Sequence, residues 1–345
     1  MRVKLEEVME GSEFMDEMFR NFMPPFGIRS RHMQSLLNSS GVRRRRILRS
    51  AEELRSNAEV WTLDGGSQIR LQGLYSKQAS KSLGLAVLLH GWEGSVDSNY
   101  ILANAVRLYA AGFDVFRLNF RDHGDTHHLN PGIFHSCRLE EVINALRNLQ
   151  DRLEVATWFL AGYSLGGNFS LRVALNADRA GLKLAQVVAV CPVINPANAM
   201  LSMEQGLRFY ERYFERKWSR SLKTKKACFH DLYGHEQWHN IKGLRERTHY
   251  LATKHAGFDS ADSYFDGYSV ADQRLASLKV PSTLLTSIDD PVVPVSDFKD
   301  LPDNPVLELI ISPYGGHCGF LKNWKLESLS EELILQRFLA AASRN

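Results

Sequence analysis

The sequence predicts an α/β protein: a mostly parallel central sheet with helices on both faces and a helical lid inserted over one edge. Three observations predict it. From Glu59 onward, short apolar runs of strand length alternate with segments of helical composition, the pattern of a covered parallel sheet. That rhythm breaks between Cys191 and about Leu278, then resumes, which reads as an insertion. At residues 160–167 an apolar run turns through Gly162-Tyr163-Ser164-Leu165-Gly166 directly into a helical segment. The expected organisation is a helical arm over 1–58, a core over 59–192 and 279–345, and a lid over 193–278.

In order, residues 1–22 read as an amphipathic arm whose stripe is Val8, Met15, Met18, Phe19 and Phe22. Packing on the domain is one reading of this stripe, and peripheral contact with a membrane is the other. Pro24-Pro25-Phe26-Gly27 ends the arm, a short helix follows over 30–38, and Arg43 to Arg46 read as a solvated face. Val60 to Leu63 and Ile69 to Gly73 flank Asp64-Gly65-Gly66 as a β-hairpin. Leu83 to Leu89, Asp114 to Phe120, Thr157 to Ala161 and Gln186 to Val190 read as strands. Tyr100 to Ala111, Leu139 to Leu149 and the segment after Ser164 read as helices. Met203 to Trp218 is helical inside the insertion. Ser282 to Ile288 and Val306 to Ile311 are the last strands, and Leu326 to Ala341 is a closing helix.

Composition narrows the function classes. With 44% hydrophobic and 23% charged residues in 345, the chain buries an ordinary globular core. A net charge of +3 gives no bulk attraction to nucleic acid. Cys137, Cys191, Cys228 and Cys318 are scattered with no C-x-x-C pair, which fits a reducing compartment. No signal peptide and no run of about 18 apolar residues is visible, so a cytoplasmic protein is expected.

A serine hydroxyl becomes a nucleophile only beside a base that an acid orients. Ser164 sits at the tip of the strand–turn–helix. Asp290, in Asp289-Asp290-Pro291, and His317, after Gly315-Gly316, each follow a strand end. The C-terminal ends of parallel strands share one edge, so the three can converge there. Asp289 is the alternative acid. The backbone N–H groups of Leu165 and Trp92 are the expected oxyanion donors, and His90 is expected to be structural. His235-Glu236-Gln237-Trp238-His239 spells H-E-x-x-H, a zinc-protease pattern. Gly234 before it, Gly243 after it and the lack of a surrounding apolar helical run favour a lid surface. His123, His127, His128 and His135 crowd one loop and read as hydrogen-bonded structure. No metal and no cofactor is expected.

The chain resembles the YheT-like branch of the α/β-hydrolases, with its abhydrolase-domain esterases and lipases and its yeast ester-forming acyltransferases. The matching segments are Pro24 to Gly27, His32 to Leu36, His90-Gly91-Trp92-Glu93-Gly94-Ser95, Asn119-Phe120-Arg121, Gly162 to Gly167, Asp289-Asp290-Pro291 and Gly315-Gly316-His317. The resemblance implies an α/β-hydrolase fold with Ser164, Asp290 and His317 as triad. It also implies a serine esterase acting on a small-molecule ester or lipid, with a medium or long acyl chain. Acyl transfer to an alcohol and a catalytically silent binding protein are the alternatives. One departure stands out. Asp122-His123-Gly124-Asp125-Thr126-His127-His128 replaces the family's usual small-residue loop after Arg121.

Overall fold

Eight strands form one sheet in the computed structural model, which describes residues 17–344. They are β1 (Ala58–Asp64), β2 (Arg70–Ser76), β3 (Leu85–Leu89), β4 (Asp114–Asn119), β5 (Trp158–Tyr163), β6 (Leu184–Val190), β7 (Ser282–Ser287) and β8 (Leu307–Ser312). The spatial order is β1-β2-β4-β3-β5-β6-β7-β8. The β1–β2 hairpin is antiparallel and joins β4 antiparallel; β4 through β8 run parallel.

The apolar runs explain this layering. All five residues of β3 are buried. Leu85, Val87 and Leu89 face one core, and Ala86 and Leu88 face the other, as the two-residue strand period requires. The helices are α1 (Arg31–Asn38), α2 (Gly41–Ser50), α3 (Glu52–Ser56), α4 (Asn99–Ala110), α5 (Leu139–Arg152), α6 (Leu165–Leu175), α7 (Ala177–Ala180), α8 (Pro196–Gln205), α9 (Arg208–Cys228), α10 (His230–Tyr233), α11 (Leu244–His255), α12 (Ala261–Asp266) and α13 (Leu329–Ala342). Helices α5 and α6 cover the first face through Val142, Leu146, Leu149 and Phe169. Helices α4 and α13 cover the second through Leu102, Leu108, Leu333 and Phe338. Between β6 and β7 the chain forms only helices, α8 to α12, and short 3₁₀ turns.

Two expectations change. The helix read over Met203 to Trp218 is two helices, because Gly206 adopts an extended conformation and ends α8. The four-arginine run is not uniformly solvated. Arg43 is 2% exposed. It bonds Asn38 and the Leu326 carbonyl and is ion-paired with the buried Glu331 of α13. In the arm, Phe19 and Phe22 are buried against the second core, and Phe19 meets Phe320 edge to face. Val8 and Met15 lie outside the described residues.

Candidate active site

The site begins with a backbone that only certain residues tolerate. Ser164 has φ 55° and ψ −117° between β5 and α6. A side chain at Gly162 would place its Cβ 2.1 Å from the Gly166 carbonyl oxygen. One at Gly166 would lie 2.3 Å from the Leu89 oxygen. Both positions therefore need glycine for strand and helix to meet this closely. The hydroxyl is left at the mouth of the cleft, 2.9 Å from His317 Nε2.

His317 follows β8 and Asp290 follows β7. His317 Nδ1 lies 2.9 Å from Asp290 Oδ2 and 3.2 Å from Oδ1. The Asp290 carboxylate is fully buried, and its Oδ1 accepts the Val292 and Val293 N–H groups at 2.8 and 3.0 Å. Asp289 is not at the imidazole. Its Oδ1 accepts the Gly316 N–H at 2.8 Å and so anchors the histidine loop. Burial disfavours the imidazolium, but the Asp290 charge and hydrogen bond outweigh it and hold His317 well above its ordinary 6.5.

The N–H groups of Trp92 and Leu165 donate to no acceptor among the described residues. Both residues line space beside Ser164. The loop carrying Trp92 is tied down from two directions. His90 Nε2 accepts from the Phe120 N–H, and its Nδ1 faces the Gly91 carbonyl at 2.7 Å. His123 Nε2 accepts from the Glu93 N–H at 3.1 Å while its Nδ1 faces the Arg121 carbonyl at 2.7 Å. Each ring must then be neutral and carry its proton on Nδ1. Burial accordingly lowers His90 to about 4 and His123 well below 6.5. From α9, Lys217 donates to the Glu93 carbonyl, and Phe214 stacks on Trp92 at 5.1 Å.

Three groups that sequence reasoning passed over belong here. Ser35 of α1 accepts the His317 N–H at 2.9 Å. The fully buried Gln34 clasps both backbone groups of Leu321. Only the matching run His32 to Leu36 pointed toward them. Cys191 and Cys318, distant in sequence, meet beside the imidazole, with ligand atoms of Cys191, His317 and Cys318 within 4.8 Å of one another. Their one common signal is that each sits just past an apolar run or the histidine itself.

The H-E-x-x-H segment forms no metal-binding helix. α10 stops at Tyr233 and a 3₁₀ turn starts at Trp238, so the two histidines do not share a helix. Glu236 is buried in the helical insertion, where its Oε2 accepts the Tyr250 hydroxyl and Lys254 and His255 lie close to its Oε1.

A family profile described as the α/β-hydrolase fold matches residues 86–323. The chain belongs to the α/β-hydrolase family. An abhydrolase domain-containing protein of Dictyostelium discoideum is 24% identical over 87% of this chain and 76% of its own length. YheT of Escherichia coli (strain K12), provisionally named an esterase, is 25% identical over 87% of each chain. Human phospholipase ABHD3 is 23% identical over 83% of this chain and 71% of its own. Among solved structures, the Pyrococcus furiosus esterase Pf2001 superposes with a TM-score of 0.54 at 15% identity, covering 79% of this α/β-hydrolase and 87% of that chain. That likeness is one of fold. No helix among the described residues is long and apolar enough to cross a membrane.

Proposed function

We propose that this α/β-hydrolase is a serine esterase that cleaves a carboxylic ester through an acyl-enzyme on Ser164. The observation that carries the reading is the unbroken chain from Ser164 Oγ to His317 to Asp290, with both links at 2.9 Å. His317 takes the serine proton as Oγ attacks the carbonyl carbon, then delivers it to the departing alkoxide. Asp290 keeps the ring oriented and stabilises the imidazolium that forms. The N–H groups of Leu165 and Trp92 receive the charge that develops on the carbonyl oxygen. Water, activated by the same imidazole, releases the acid. The names of the relatives, an esterase and a phospholipase among them, support an ester or lipid as substrate. A cleft of about 650 Å³ open at Ser164 supports water as acceptor over acyl transfer to an alcohol.

A reducing, cytoplasmic setting goes with this reading, since all four cysteines are free. Any contact of the arm with a lipid surface would use Met23 and Phe26, exposed by 63% and 91%, because Phe19 and Phe22 are committed to the core.

A fluorophosphonate probe tests the nucleophile directly. Phosphonylation of the wild-type protein on the Ser164 peptide, and its absence in Ser164→Ala, is the expected result. Labelling that persists in Ser164→Ala overturns the assignment.

A further inference from the structure

Two cavities meet at Ser164, and they differ in size and character. One is the open cleft of about 650 Å³, whose walls include Ser35, Arg44, Lys217 and His317. The other is a smaller cavity of about 100 Å³ against α8, α11 and α12, bordered by Leu165 and lined by Met200, Met203, Leu251 and Phe265. Those last four are each at most 8% exposed. Trp92, Phe214 and Val292 border both spaces and form the partition.

The chemistry decides which part of an ester enters which space. In acylation the imidazole must reach the leaving oxygen to protonate it. His317 borders the large cleft and not the small cavity. The alcohol portion therefore occupies the cleft, and the acyl portion points past Leu165 into the smaller, mostly apolar cavity. An apolar cavity of 150 Å³ holds one benzene, so about 100 Å³ takes roughly four carbons beyond the carbonyl.

The wall of this cavity is fastened. Phe214 and Trp218 lie on α9, and the same helix carries Lys225, which is 1% exposed. Its ammonium donates to Asp122 at 2.7 Å and to the carbonyls of His127 and Asn130. A lid that swung open at α9 would strand this charge in the interior.

We propose that the enzyme selects esters of a short acyl group, about two to six carbons, on a bulky alcohol. This rests on the esterase reading and shortens the medium or long chain that the sequence suggests. The test measures kcat/KM of the full chain on p-nitrophenyl acetate, butyrate, octanoate and dodecanoate, with Met203→Ala beside the wild type and thermal melts on both. The wild type is expected to peak at acetate or butyrate and to fall at least tenfold by octanoate. Met203→Ala, which enlarges the cavity, is expected to raise the octanoate-to-butyrate ratio. The wild-type profile stands on its own where that variant melts early. A wild-type optimum at octanoate or longer overturns the chain-length proposal and leaves the esterase reading intact. Absence of Ser164-dependent turnover on every ester overturns both.

Discussion

Ser164 is a residue whose conformation costs stability for the sake of position. Its positive φ belongs to a region that L-residues pay about 1–3 kcal/mol to occupy. Glu93 and Cys318 also have positive φ and line the same cleft. At the proposed base, the carboxylate of Asp290 raises the pKa of His317 above 6.5. On the proposed mechanism only the neutral ring can accept the serine proton, so activity should be absent where the ring is charged and appear as pH rises. The account predicts an ascending limb of kcat/KM with its midpoint above pH 6.5. A pH–rate profile that is already flat at pH 6.5 contradicts it. The sequence carried Ser164, Asp290 and His317 because each stands at a recognisable strand end. It preferred Asp290 and kept Asp289 as the alternative; in the structure Asp290 meets His317 Nδ1 while Asp289 accepts the Gly316 N–H.

The element that departs from the resemblance, the loop after β4, gains a definite task. His123 accepts the Glu93 N–H next to Trp92, Arg121 pairs with the buried Glu141 at 2.6 Å, and Asp122 receives Lys225 from α9. The loop thus holds the Trp92 turn and the lid wall together. Replacing His123 with Ala frees the Glu93 N–H and loosens the Trp92 turn. The expected result is a fall in kcat of about tenfold or more with little change in KM, since the proposed oxyanion donor at Trp92 would act in the transition state. An equal loss in both parameters, or none, would point to a packing role alone. His123 was visible in the sequence only as one of four crowded histidines. Nothing local specifies that its ring reaches residue 93, because the contact depends on how β3 and β4 lie side by side in the sheet. Arg43 was misread for a similar reason. Its partner Glu331 is 288 residues away, and a run of four arginines looks solvated until α13 is placed beside it.

Across the whole molecule, legibility followed burial. The parallel strands are continuous apolar runs covered on both faces, and their order of occurrence placed them well. The helical insertion between β6 and β7 was legible only as a break in rhythm. Its helices bury few long apolar stretches and depend on tertiary anchors such as Lys225–Asp122, Arg245–Glu204 and the Glu236 cluster. The sheet, the α1 brace at Ser35 and the helical insertion converge on one serine, so the fold should survive the loss of its hydroxyl while the proposed chemistry should not. Steady-state hydrolysis of a p-nitrophenyl ester by Ser164→Ala, beside a thermal melt of the same variant, tests this most directly. The account predicts a loss of kcat on the order of 10⁴-fold or more with a cooperative melt like that of the wild type. Turnover within tenfold of wild type by a folded Ser164→Ala protein would contradict it.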